Sequence, residues 1–223
     1  MSIDIKTIVT KRISIKANCY LIKTDCGHIL IDTGCSNKRI YLEKELKRAG
    51  CRPGTLKLIL LTHGDFDHTG NAAYLRKKFN TEIAMHYGDS GLVENGDMFC
   101  NRKTGNIVIK IIVNAFIGLN HNDRFKPDLT IDDGYRLSEY GFDAKVLHLP
   151  GHSQGSIGIL TNEGDLFCGD LFMNMNKPSL TSLVDNAAKL NSSIEKLKGL
   201  KINTVYPGHG KPFPMNSFLL LID

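Results

Sequence analysis

Between Thr62 and Asn71 the chain reads Thr-His-Gly-Asp-Phe-Asp-His-Thr-Gly-Asn, directly after the apolar run Leu56–Leu61. His63, Asp65, Asp67 and His68 therefore crowd two imidazoles and two carboxylates into one short segment. Charge gathered at the end of a buried strand is costly unless a cation neutralises it. Alternation through 63, 65 and 67 throws three side chains to one side, and His68, on the first turn of a helix, can face a second cation nearby. The spacing predicts a metal site, and one for two ions.

Three later segments supply matching groups: Pro150-Gly-His152-Ser, Cys168-Gly-Asp170 and Pro207-Gly-His209-Gly. Each puts one ligand-type residue in a Gly-rich turn just after an apolar stretch. Strands lend such turns rigidity and the turns give access. One histidine so placed is ordinarily a surface or satisfied core residue; the ordered set points to a shared centre.

With Asp32-Thr-Gly34 added, these motifs resemble, in order, the metallo-β-lactamase superfamily of hydrolases, from about Cys19 to Lys211. The resemblance implies an α/β fold, a four-layer αββα sandwich with the metals at one edge. Asp170 looks like the carboxylate that bridges two metals in the glyoxalase-II-type branch. Cys168, two residues earlier, reads as strand packing rather than as the cysteine ligand of zinc β-lactamases. Carried over residue by residue, site 1 is His63, Asp65 and His152, site 2 is Asp67, His68 and His209, and Asp170 bridges. Asp67 and Asp32 are the implied catalytic residues, Asp32 by orienting a ligand or the loops. Taken by itself, Asp32 is equally a turn residue. Two divalent ions are implied as cofactors, zinc first, with iron or manganese as alternatives.

One position departs from the family pattern, which has a second histidine where this chain has Asp65. Two divalent cations, three aspartates and a bridging hydroxide are then formally neutral together. A more anionic ligand set weakens Lewis acidity and suits harder cations such as iron or manganese. Aspartate is also shorter than histidine, so Asp65 would reach a cation only by drawing it closer, or through a water.

The elements that must position these groups can be read from patterning. Asn18–Ile22 and His28–Ile31 read as strands joined at Asp25-Cys-Gly27. Residues 39–49 show helical apolar spacing and end at Gly50. A strand is expected over 56–61, a helix over 71–79 and a strand over 81–85. Later strands are expected at 144–149, 156–161, 165–168 and 203–206, with a helix over 187–198. Strands and helices in this mixture, with ligands at strand ends, suit two sheets covered by helices. Residues 1–223 read as one domain, in which 88–127 is a variable insertion near the active site. Its apolar run, Ile107–Leu119, would complete the core or, if exposed, serve a homodimer or an apolar substrate.

At 223 residues the chain is long enough for one sizeable core. The formal net charge of +5 comes without a long basic run. It suits a small-molecule substrate, including an anionic one, and does not argue for nucleic acid. The run at 107–119 is too short to span a bilayer, so no membrane is expected. Six cysteines without CxxC pairing, and an N-terminus unlike a signal peptide, suggest reduced thiols and a cytoplasmic location.

Two cations a few ångströms apart can hold a hydroxide at neutral pH and stabilise the charge that forms as it attacks. The expected function is metal-dependent hydrolysis of an ester, thioester, lactone or phosphoester bond by such a binuclear centre. The competing class is a di-iron or mono-iron oxidoreductase related to flavodiiron proteins or persulfide dioxygenases. Flavodiiron proteins also carry a carboxylate at the position of Asp65, but they add a flavodoxin-like domain, and no Gly-rich flavin loop is evident here. A nuclease would need room for a substrate-binding arm, and structural zinc sites tend to be Cys-rich and closed.

Overall fold

A computed structural model describes residues 3–12, 14–100, 102 and 119–220. Two six-stranded sheets face each other. The first contains β1 (Asp4–Arg12), β2 (Ile15–Thr24), β3 (Gly27–Ile31), β4 (Leu56–Leu60), β5 (Glu82–Met85) and β6 (Leu129–Thr130), in that spatial order. Its first three strands are antiparallel and the rest run parallel from β3. The second contains β7 (Ala144–His148), β8 (Ile157–Thr161), β9 (Asp165–Asn174), β10 (Ser179–Leu180), β11 (Thr204–Gly210) and β12 (Phe213–Pro214). Its order is β12-β11-β9-β8-β7, with β10 paired to β9.

Side-chain alternation divides the apolar residues into three layers. Tyr20, Ile22, Ile29, Ile31, Leu58 and Leu60 face inward from the first sheet and meet Val146, Ile157, Ile159 and Phe167 of the second. The alternate residues Leu21, Leu30 and Ile59 face outward onto Leu42 and Leu46 of the helix Arg39–Arg48 and Leu75 and Phe79 of the helix Ala72–Phe79. Across the second sheet, Leu166, Cys168 and Phe172 pack on Leu190, Ile194 and Leu197 of the helix Ala187–Lys198. The result is the expected αββα sandwich. Central strands read as continuous apolar runs because both of their faces are covered.

The expected elements are found with their ends moved by a few residues. β9 runs past the turn expected at 168–170, and β11 runs through the one expected at 207–209. The parallel ladder between them continues through register shifts at Tyr206/Pro207 and Pro207/His209, which are bulges rather than chain reversals. β1 had no clear signal, since a sheet-edge strand keeps charged and Thr side chains on its open face. Most of the apolar run at 107–119 lies outside the described residues. The described ends of the insertion, including the helix Ser90–Asn95, border the site described next.

Phe167 is fully buried between the sheets, edge-on to Tyr20 at 5.2 Å and stacked on Tyr206 at 4.7 Å. Phe167→Ala should lower unfolding free energy by about 3–5 kcal/mol, the usual result of opening a cavity where a ring is lost. Urea unfolding followed by circular dichroism checks this.

Candidate metal centre

The seven residues singled out by the motifs converge at one edge of the sandwich, and none is more than 9% exposed. His63 follows β4, and Asp65, Asp67 and His68 occupy the loop and the single helical turn Phe66–Thr69. His152 follows β7, while Asp170 and His209 sit within the bulged halves of β9 and β11. The rings of His63 and His68 are 4.2 Å apart, those of His63 and His152 4.7 Å, and those of His68 and His209 5.3 Å.

Hydrogen bonds fix the tautomer of all four imidazoles. His152 Nδ1 donates to Leu183 O at 2.8 Å and His209 Nδ1 to Lys16 O at 2.5 Å, because a carbonyl can only accept. His68 Nδ1 donates to Asp32 Oδ2 at 2.8 Å. Thr62 Oγ1 donates to the same carboxylate oxygen at 2.7 Å, so it accepts from His63 Nδ1 at 3.0 Å. In the neutral ring every Nε2 is therefore the lone-pair nitrogen, and each of the four faces a carboxylate at the centre. His63 Nε2, His68 Nε2, Asp65 Oδ1 and Asp170 Oδ1 are buried there without a hydrogen-bond partner. Asp65 Oδ1 instead lies in an ion pair with Arg102.

Those lone pairs are spaced as neighbours around a cation. His63, His152 and Asp170 bring one ligand atom each to within 4.8 Å of one another, and so do Asp67, His68 and His209. His152 Nε2 is 3.2 Å from Asp65 Oδ2, His209 Nε2 is 3.1 Å from Asp170 Oδ2 and 3.4 Å from Asp67 Oδ2, and His68 Nε2 is 3.3 Å from Asp170 Oδ1. Metal–ligand bonds of about 2.0–2.2 Å put neighbouring tetrahedral ligands roughly 3.3–3.6 Å apart. Two groups of acceptors at such distances repel unless a cation or proton lies between them. Burial disfavours charge on His68, yet Asp170, Asp32 and Asp67 hold its pKa well above the usual imidazole range. The carboxylates thus create a demand for positive charge that a metal pair fits, with Asp170 placed to serve both groups.

Asp32 holds the centre without joining it. Its backbone sits at φ +60°, uncommon for a non-glycine residue, and its carboxylate also accepts from Thr62 N at 2.8 Å. Orienting His63 through Thr62, and His68 directly, is the role these contacts support. Two glycines have a steric reason to be there. A Cβ on Gly208 would lie 2.2 Å from Asp170 Oδ1, and one on Gly169, at φ +51°, 2.5 Å from Thr62 Oγ1. Strict alternation along β9 would put Cys168 and Asp170 on one face. The bulge at Gly169 separates them, and Cys168 packs outward with its thiol pushed up by burial.

Sequence reasoning missed three charged groups, Asp89 and Arg102, which are buried, and Asp185, which is half-buried. Asp89 accepts from Gly64 N at 2.9 Å, Ser153 Oγ at 2.7 Å and Gly155 N at 2.7 Å, tying the 63–68 loop to the 152–155 turn. Arg102 Nη2 lies 2.8 Å from Asp65 Oδ1, and its Nε donates to Asp185 Oδ2 at 2.9 Å. Asp65 is therefore paired, and the purely anionic effect expected of it is offset. Each of the three stands alone in the sequence, with no spacing to mark it. Tyr20 supports the strand that carries His209, its hydroxyl donating to Pro207 O at 2.7 Å.

His86 and His148 stack at 4.0 Å and approach Asp132, resembling a third site. His86 Nδ1 accepts from Gly88 N at 3.0 Å, however, so its proton sits on Nε2, 3.3 Å from Asp132 Oδ1. With no lone pair on that nitrogen, the trio is rim packing.

Comparison with known proteins agrees with this geometry. The family described as Metallo-beta-lactamase superfamily matches residues 15–209. The chain belongs to that superfamily. It is 29% identical over 201 residues to "Probable metallo-hydrolase MJ0888" of Methanocaldococcus jannaschii, covering 87% of this chain and 88% of that one. To the hydroxyacylglutathione hydrolase GloC of Haemophilus influenzae it is 33% identical over 158 residues, covering 69% of this chain and 66% of that one. Among solved structures, TTHA1623 in a di-iron-bound form superposes with a TM-score of 0.74 at 26% identity, covering 96% of both chains. The B3 metallo-beta-lactamase BLEG-1 does so with 0.75 at 25% identity, covering 97% of this chain and 96% of that one. The protein is a metal-dependent hydrolase of this superfamily, whose members bind a divalent metal pair.

Asp170→Ala should cost at least one of two bound metal equivalents, whereas Cys168→Ser should keep both; elemental analysis of purified protein decides it. Loss of metal from the cysteine variant alone would reverse the assignment. Asp32→Ala should weaken metal affinity by about 10–100-fold, as loss of a ligand-orienting carboxylate does. Chelator competition measures it.

Proposed function

We propose that this protein hydrolyses an acyl bond, in an ester, thioester or lactone, of a small molecule carrying an apolar group, with two divalent cations held by the seven residues. The observation that carries this is the mouth of the centre. A cavity of about 330 Å³ has Asp65, Asp67, Asp170 and His209 at its polar end. Its walls include Ile15, Phe66, Met98, Met173, Met175 and Leu183, and among the described lining residues Lys16 is the one Lys or Arg. Met175 and Leu183 are 53% and 45% exposed. Large apolar side chains held at an open mouth suit an apolar partner. Flexible thioethers adapt to varied shapes. Because the described wall is mainly apolar, we place a phosphoester behind the acyl substrates of the expected set.

When bound, the metal pair supplies Lewis acidity and lowers the pKa of water, so that a nucleophile is present near neutral pH. The protein's part is orientation. Asp32 keeps Nδ1 of His68 protonated and, through Thr62, does the same for His63. Leu183 O and Lys16 O do so for His152 and His209. Asp67, with Oδ2 near His209 and its side chain at the cavity, stands where it would accept a proton from water or pass one to a leaving group. Burial raises its pKa, bringing it closer to that duty. Supporting this reading, hydroxyacylglutathione, named for the H. influenzae relative, is a thioester.

Zinc is the cation we assign first, from four imidazole nitrogens. Iron is the alternative favoured by Asp65 and by the di-iron form of TTHA1623. Reducible iron in protein purified without added metal would move the reading toward redox chemistry. The partner is a small molecule rather than nucleic acid. Among the described residues no helix is long and apolar enough to cross a membrane, and we place the protein in the cytoplasm; a homodimer is our proposal for its assembly.

Metal-replete enzyme assayed against esters, thioesters and lactones of increasing acyl length, beside phosphodiesters, should show kcat/KM rising with chain length for the acyl substrates. Turnover of phosphodiesters alone would overturn the proposal. Met175→Ser combined with Leu183→Ser should raise KM for the longest acyl substrate by roughly 10-fold, about 1–3 kcal/mol of lost apolar contact, with metal content unchanged.

A further inference from the structure

Asp65 occupies a position where the centre would otherwise have an imidazole, and its two oxygens have different surroundings. Oδ2 faces His152 Nε2 at 3.2 Å and His63 Nε2 at 3.8 Å. Oδ1 lies 2.8 Å from Arg102 Nη2, with both side chains buried. The guanidinium is itself held, since Nε donates to Asp185 Oδ2 at 2.9 Å. Asp185 N and Asn186 N donate to Gly151 O, so this anchor belongs to the turn that carries His152. Arg102 is thus built against the metal centre on one side and against one of its ligand turns on the other.

We propose that Arg102 is a positioning residue for the metal pair, fixing Asp65 as a one-oxygen, charge-compensated ligand so that the Asp65–Arg102 pair takes the part of a neutral imidazole. Occupation of Oδ1 prevents the carboxylate from chelating with both oxygens, and it aims Oδ2 at the two nitrogens. The guanidinium, held between Asp65 and Asp185, offsets much of the negative charge that Asp65 brings to site 1. Lysine would not substitute fully, because a point charge lacks the planar fork that engages two carboxylates at fixed angles. A buried ion pair serving only to join loops would need no ligand nitrogens beside its acid, and here there are two.

The inference rests on the two-cation reading, and a zinc titration separates the two. Metal-stripped full-length protein, titrated with zinc in competition with a chromophoric chelator, should take two equivalents. Asp65→His, which sets an imidazole beside a guanidinium left with Asp185 alone, should weaken one of the two sites by about 10–100-fold, and so should Arg102→Met, which removes the orienting partner. The double variant, in which a neutral imidazole stands without the arginine, should recover most of that loss; a purely structural ion pair would show no such rescue. Arg102→Lys should fall between wild type and Arg102→Met, and carries the comparison if the methionine variant does not fold. Two equivalents with unchanged affinities in all variants would overturn the role of Arg102 and leave the metal pair standing. Fewer than two equivalents in the wild type would overturn both.

Discussion

Concentrated negative charge beneath the surface is the constraint around which this molecule is arranged. Asp65, Asp67 and Asp170 are nearly removed from water, together with four imidazoles whose lone pairs face them. Such a cluster is stable only when cations offset it, and the cations are held only if the ligands stay put. The hydrogen bonds around the centre meet the second condition. Each imidazole is pinned through Nδ1 to a main-chain oxygen or to the Asp32–Thr62 pair, and Asp89 ties two ligand loops together through three donors.

The sheets explain how residues so distant in sequence meet. β4 and β5 run parallel, so the chain leaves both at the same edge, and there the first ligand loop begins. In the second sheet β9 and β11 are parallel neighbours, so Asp170 and His209 emerge side by side. Parallel pairing brings the two together, and the bulges turn their side chains away from the core. Without the shift at Gly169, Asp170 would share a face with Cys168 among the apolar residues beneath the helix Ala187–Lys198. The glycines at 169 and 208 are thus geometric requirements of the centre, not signs of a loop.

This explains what the sequence disclosed and what it concealed. Strand periodicity and the His/Asp spacing disclosed the layers and all seven convergent residues, because those features are local and repeat with the period of their element. The extent of β9 and β11 was concealed because Pro-Gly and Cys-Gly pairs signal a turn, whereas a neighbouring strand can carry a ladder across them as bulges. Asp89, Arg102 and Asp185 were concealed for another reason. A buried charge is recognised by its partner, and these partners lie 25, 37 and 83 residues away, at Gly64, Asp65 and Arg102. No local pattern encodes such a pairing.

Arg102 also changes how the one unusual ligand position is understood. Taken alone, aspartate in place of histidine makes a centre more anionic and a poorer Lewis acid. With a guanidinium on its outer oxygen, much of that charge is offset. On the role proposed for Arg102, the position would then differ from a histidine chiefly in donor chemistry, oxygen in place of nitrogen, and so in hardness more than in field strength. The same neighbourhood joins metal to substrate. Leu183 offers its carbonyl to His152 and its side chain to the cavity mouth, so a ligand pressing on that wall bears on the segment that orients a metal-facing imidazole. On the function proposed, binding of an apolar group would bear on alignment of the centre through this one residue, which is how contacts remote from a reacting bond can contribute to its cleavage.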